Sequence, residues 1–204
     1  MTYAVKEIFL TQQGEGANIG KTAVFVRFAG CNLWSGREVD RAKAVCRFCD
    51  TDFIGGTRMT ADEIAAAAVA LWPGEWRRFC VLTGGEPLLQ VDRPLVNALR
   101  GENFLVAVET NGTQPLPCHI DWVCVSPKAG APLVLADADE LKLVYPQAHL
   151  TPDSLTGFHA RHRWLSPMDA PRRRAANTKA AAAYCCAHPE WRLAIQAHKT
   201  WGVR

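Results

Sequence analysis

A series of short apolar runs constrains the fold of this chain more than any other feature. The runs are Thr22–Ala29, Phe79–Leu82, Phe104–Val108, Trp122–Val125, Glu140–Tyr145, Arg163–Leu165 and Trp191–Ile195. Each is short and mostly β-branched, aromatic or Leu, which is how strands of a buried parallel sheet read. A further run, Ala4–Leu10, reads as a strand or hairpin arm. Helical stretches lie between some of them. Thr60-Ala61-Asp62-Glu63 is a capping box, and the Ala-rich helix after it should run to about Trp72, where Pro73-Gly74 stops it. Other helices are expected over about Arg93–Arg100 and about Pro171–Ala187. Strands alternating with helices predict an α/β fold with a parallel sheet.

Polar motifs follow the runs. They are Thr83-Gly84-Gly85-Glu86-Pro87, Glu109-Thr110-Asn111-Gly112, Ser126-Pro127-Lys128, Ser166-Pro167-Met168-Asp169 and His198-Lys199. In a parallel barrel the carboxyl ends of all strands meet at one rim, where the active site lies, so these motifs are one site in space. A complete barrel takes about 250 residues, and this chain has 204. The expected fold is an incomplete, TIM-like β/α barrel of about six to seven mostly parallel strands with reduced helices, forming a single domain over the whole chain.

Composition excludes several classes. A net charge of +3 is too small to argue for nucleic acid or a membrane surface as partner. No apolar stretch reaches the ~20 residues of a membrane span. The N-terminus lacks the charged start and apolar core of a signal peptide, so a cytoplasmic protein with reduced thiols is expected. Eight cysteines in that compartment argue for metal binding or chemistry at some of them, not for disulfides. Cys80 and Cys124 sit in apolar runs and read as packing residues. The basic run Arg172-Arg173-Arg174 reads as a solvated helix end.

Cys31, Cys46 and Cys49 are different, with the spacing C-x14-C-x2-C on a loop that follows the first core strand. Thiolates gathered on one loop hold a soft metal or an iron–sulfur cluster. Three ligands leave one metal position open, since a closed zinc site or a fully protein-ligated cluster needs a fourth. Packing as buried thiols, or a zinc knuckle with a distant fourth ligand, are the alternatives.

Other motifs narrow the choice. Gly84-Gly85 lets a ligand approach the backbone closely, and Glu86 offers a carboxylate to an ammonium group. Gln13 and Glu15, on the loop with Gln12 and Gly14, suit the edge of a nitrogen heterocycle. Arg27, inside a core strand, needs an anionic partner, either a structural acid such as Glu7 or an anionic substrate. Asp50 and Thr51 are hard oxygen ligands that suit Mg2+, or else a turn and a helix cap. Gly14 to Thr22 imitates a phosphate-binding loop, but the pattern needs Gly at position 15, which is Glu15, and the segment enters a strand where that motif enters a helix.

Taken together, the cysteine loop, the Gly-Gly-Glu-Pro motif and the β/α pattern resemble the radical S-adenosylmethionine enzymes. The usual loop there is C-x3-C-x2-C, so the first gap here is longer. That departure is similar to the 7-carboxy-7-deazaguanine synthase family. So are Gln13-Gly14-Glu15-Gly16, Cys49-Asp50-Thr51-Asp52, Thr83 to Pro87, Glu109 to Gly112, Ser126-Pro127-Lys128 and His198-Lys199. Matches run from about residue 8 to the C-terminus. Ser166 stands where many relatives carry Gln.

The resemblance implies an incomplete barrel and a homodimer that converts 6-carboxy-5,6,7,8-tetrahydropterin to 7-carboxy-7-deazaguanine with loss of ammonia, in queuosine and 7-deazapurine biosynthesis. It implies a [4Fe-4S] cluster on Cys31, Cys46 and Cys49, with S-adenosylmethionine and Mg2+. A flavodoxin- or ferredoxin-type protein would donate electrons. It places S-adenosylmethionine on Phe48, Gly84, Gly85, Glu86, Thr110, Ser126, Pro127, Lys128, Ser166, Pro167, Met168 and Asp169. The pterin falls to Gln12, Gln13, Gly14, Glu15, Arg27, Thr83, His198 and Arg204, and Mg2+ to Thr51 with Asp50. A glycyl-radical activating enzyme shares the cluster and short barrel and is the second reading. A zinc-stabilised binding module without catalysis is the third.

Overall fold

The seven apolar runs form seven mutually parallel strands. The computed structural model describes residues 1–203. In chain order the elements are β1 (Tyr3–Gln12), β2 (Thr22–Phe28), β3 (Thr57–Met59), α1 (Ala61–Leu71), β4 (Arg78–Gly84), α2 (Arg93–Gly101), β5 (Phe104–Thr110), β6 (Trp122–Val125), β7 (Asp137–Tyr145), β8 (His159–Pro167), α3 (Arg174–Ala187), β9 (Trp191–Leu193) and α4 (Ala197–Trp201). Among the described residues they make one nine-stranded sheet, ordered β3-β1-β2-β4-β5-β6-β7-β8-β9. Strands β2 and β4 to β9 run parallel, and β1 is antiparallel to both β2 and β3.

Boundaries moved where ladder pairing reaches past the apolar run. β8 spans His159–Pro167 because its whole length pairs with β7, polar residues included. β9 stops at Leu193, short of the expected Ile195, which is exposed. β3 and α4 have no sequence signal: β3 is three residues with two exposed, and α4 is a five-residue turn of helix. Helix α3 begins at Arg174, not Pro171, because Arg172 takes a positive φ of 64° and breaks the turn before it. The three arginines are exposed at this helix start. The capping box at α1 is present: Thr60 accepts from the Glu63 amide, and Glu63 accepts from the Thr60 amide. Asp92 caps α2 and also accepts the Tyr3 hydroxyl at 2.6 Å, which ties the helix to β1.

Strand alternation sorts the side chains onto two faces. One face carries Val24, Val26, Leu82, Val106, Val108, Val125, Leu141, Leu143 and Leu165, packed with Ile64 and Ala68 of α1, Leu95 and Leu99 of α2, and Ala181 of α3. Each is nearly or fully buried, so truncating one Leu to Ala would cost about 2–5 kcal/mol. The other face lines the barrel interior. Ala23, Phe79, Val81 and Ala107 form a small apolar floor with Phe25, Leu105 and Trp122 against it.

Towards the carboxyl ends this interior turns polar. Arg27 pairs with Thr83 across the β2–β4 ladder. Further round, Glu109 pairs with Cys124, Cys124 with Glu140, and Glu140 with His162. Neighbours in register share a face, so β5 to β8 aim one polar row inward. The circumference does not close by strand pairing. After β9 the chain returns to the loop following β1, where the Ala197 amide donates to the Gly14 carbonyl at 2.9 Å.

Candidate active site

A cavity of about 320 Å3 opens at the carboxyl ends of the strands. Cys31, Cys46 and Cys49 all line it, although 14 residues separate the first from the second. Trp34, Ala44 and Phe53 form a small apolar cluster against Cys31 and Cys49 and give the loop its own core. Arg41 fastens this core. Its guanidinium lies 4.1 Å from the centre of the Trp34 ring and donates to the carbonyls of Arg47 (2.9 Å) and Cys49 (3.0 Å). Burial raises the Cys31 thiol despite bonds from the Leu33 and Trp34 amides. A hydrogen bond between the free thiols of Cys46 and Cys49 pulls Cys49 down to about 6, helped by Thr51, while the same hydrogen bond and burial push Cys46 up.

Among the described residues, no three His, Cys, Asp or Glu side chains close tightly enough to chelate one metal ion. An iron–sulfur cluster spreads its ligands over separate irons, so three thiols standing around one cavity fit that group.

Gly84 and Gly85 adjoin this loop. A Cβ on Gly85 would stand 2.9 Å from the Cys31 Cβ and overlap the Gly30 carbonyl. Gly84 has φ of 137°, and a Cβ there would meet the Phe28 backbone. The glycine pair therefore serves close packing of β4 against the cysteine loop, and both residues also line the cavity. Glu86, expected to offer a carboxylate to an ammonium group, feels the charge of Lys128 and is anchored by backbone and hydroxyl donors. It is fully buried and away from the cavity wall, and it accepts from the Thr110 hydroxyl (2.7 Å), the Asn111 amide (2.7 Å) and the Leu88 amide (3.0 Å). Held by these donors, Glu86 ties the end of β4 to the end of β5.

The same cavity is lined by Gln12, Gln13, Gly14, Glu15, Arg27, Thr83 and His198. Arg27 has the structural partner weighed from the sequence, Glu7 at 2.8 Å, and still reaches the cavity. Phe9 and Phe25 stack at 5.6 Å and give this wall a flat apolar patch. His198 packs on Gly14, where a Cβ would come within 2.8 Å of the imidazole's own Cβ. Arg204 lies outside the described residues.

Lys142 and Gln196, not singled out from the sequence, and Glu109, which opens the Glu109-Thr110-Asn111-Gly112 motif, also line the cavity. Lys142 Nζ stands 2.5 Å from Glu15 and 3.3 Å from Glu109. Glu109 also accepts from Gln13 at 2.8 Å, and Glu15 from Gln196 at 2.9 Å. Burial pushes the Glu15 carboxyl up, but the Lys142 charge and bonds from Lys142 and Gln196 outweigh it and leave Glu15 below its usual range. Glu140 and Lys142 alternate with apolar residues along β7, and that period of two was the signal available in the sequence.

The remaining groups come from β6, β8 and α4. Lys128 donates to the Ser126 carbonyl and hydroxyl, and burial lowers its ammonium. Pro127 does not line the cavity, whereas Phe48, Thr51, Thr110, Ser126, Lys128, Ser166, Pro167, Met168 and Asp169 do. Lys199 of α4 bridges Asp50 (2.9 Å) and Asp169 (2.8 Å), so the Asp50 carboxylate is held by an ammonium.

Several known proteins are close in sequence. The chain is 55% identical over 210 residues to a 7-carboxy-7-deazaguanine synthase of Caulobacter vibrioides, all of both chains being covered. It is 56% identical over 206 residues to one of Burkholderia multivorans, with 98% of each chain covered. It also resembles the crystal structure of QueE from Escherichia coli, with a TM-score of 0.71 and 25% identity, covering 97% of this chain and 95% of that one. No protein-family profile matches the chain.

Proposed function

The chain belongs to the 7-carboxy-7-deazaguanine synthase family, and from that premise we propose that it converts 6-carboxy-5,6,7,8-tetrahydropterin to 7-carboxy-7-deazaguanine with loss of ammonia. It is a radical S-adenosylmethionine lyase of 7-deazapurine biosynthesis. The supporting observation is a single cavity lined by Cys31, Cys46 and Cys49 together with Gln13, Glu15 and Arg27.

Cys31, Cys46 and Cys49 would hold a [4Fe-4S] cluster with one iron left for S-adenosylmethionine. When bound, that pair supplies a radical able to remove a hydrogen from the carbon beside the pterin carboxylate. The chain's own residues bind and orient. Arg27 places a charged fork for the substrate carboxylate. Glu15, Glu109 and Gln13 present acceptors and an amide to the N–H edge of the ring. Phe9 and Phe25 offer a flat wall for the bicycle. Ser126, Lys128 and the Ser166–Asp169 segment would hold S-adenosylmethionine, together with Phe48, Thr110 and the glycine pair. Thr51, beside Asp50, would place Mg2+ against the substrate. His198 and α4 cover the mouth and exclude water from the radical. A homodimer and a flavodoxin- or ferredoxin-type donor complete the reading.

The test is anaerobic turnover of cluster-reconstituted protein with the pterin, S-adenosylmethionine, Mg2+ and dithionite. The expected product is 7-carboxy-7-deazaguanine by mass spectrometry, with ammonia released. Intact cluster and cleaved cofactor without that product would remove the reading.

A further inference from the structure

Lys142 is charged, deep and unused by the reading above. Its side chain is 10% exposed, yet its ammonium lies between two carboxylates that come from distant parts of the chain. Glu15 follows β1, and Glu109 ends the inner row of β5. Each carboxylate turns its other oxygen to an amide, Glu15 to Gln196 and Glu109 to Gln13. All five groups line the same cavity.

We propose that Lys142 is a positioning residue, holding Glu15 and Glu109 as a pair of acceptors for the N–H edge of a 2-amino-4-oxopyrimidine ring. This rests on the pterin reading of the cavity. Two carboxylates facing one cavity repel each other, and in a desolvated site one of them would take up a proton. A protonated carboxyl presents an O–H towards the ring's N–H groups, so donor would meet donor and recognition would fail. One ammonium shared by two carboxylates removes that conflict and fixes both rotamers. It also leaves the trio with a net negative charge suited to a donor-rich edge. Lys142 need not touch the substrate to act.

The titratable groups facing this trio are Cys124 on β6, Glu140 on β7, Lys128 after β6 and His198 on α4. The decisive comparison is therefore variant against wild type across pH, since these groups are common to both.

The experiment measures affinity for 6-carboxypterin by its fluorescence on reconstituted enzyme without reductant, alongside cluster absorption. Lys142→Met is expected to weaken binding more than about tenfold near pH 6 and to recover much of it by about pH 8.5, as the carboxylates ionise. Cluster absorption stays as in wild type. Unchanged affinity overturns the proposal, and so does a loss that is the same at every pH. Should Lys142→Met not fold, Lys142→Gln removes the charge, keeps an N–H donor and carries the same expectation. A wild type that binds 6-carboxypterin but forms no deazaguanine would instead refute the proposed function.

Discussion

Gly85 and Cys31 pack so tightly that a Cβ on the glycine would stand 2.9 Å from the cysteine's own. The carboxyl end of β4 and the first thiol are therefore one packed unit. Gly85→Ala would force the Gly30–Cys31 backbone to move, an overpacking cost of about 1–3 kcal/mol. Less iron per chain after reconstitution is expected, read by iron and sulfide assay against wild type. Full iron content would show that the loop can shift freely.

Arg27 sits between Glu7 and the cavity. Arg27→Ala should raise KM for the pterin by about 10- to 100-fold, the worth of a charge-assisted fork. Cluster content should not change, because no thiol contacts the arginine. Absorption of the reconstituted variant and its KM check the two halves of this expectation separately.

Lys199 joins the cysteine loop to the segment after β8 through Asp50 and Asp169. The lysine's bond and charge hold the Asp169 carboxyl below its usual range. For an acid with a depressed value the linkage is present above the ordinary carboxylate range of about 4 and is lost as pH falls below it. At neutral pH it is therefore fully formed. Lys199→Met should speed hydrogen exchange in α4 at neutral pH, with wild type approaching it only in acid. The partly exposed pair should also weaken with salt.

Arg41 holds the cysteine loop through Trp34 and two carbonyls. Replacing it with Met keeps the apolar stem but removes the charge and the donors, at a cost of about 1–3 kcal/mol to the loop. Faster loss of the cluster to a chelator is expected, followed as decay of its visible absorption. The pterin KM should hold.

The seven parallel strands were legible because their cores are runs of β-branched and aromatic residues. Thr60 and Pro73-Gly74 likewise bracketed α1. β3 and α4 were not legible, since three polar-rich residues and a five-residue helix take their shape from neighbours and not from their own pattern. The polar motifs did converge on one cavity, as parallel strands require. Two side chains, one in these motifs and one outside them, took roles set by tertiary partners that spacing does not name. Glu86 turns inward to bind Thr110 and Asn111, and Lys142 was hidden among leucines until its inward face was known.

The return of the chain from β9 to Gly14 has a mechanical consequence. Where neighbouring strands zip together along a ladder, this junction is fastened by the Ala197 amide and the reach of Gln196 to Glu15. Such a fastening can part and re-form while every strand pairing stays whole. The cavity's doorway is thus hinged at the weakest stitch of its wall, and a bulky guest could pass without the scaffold being dismantled.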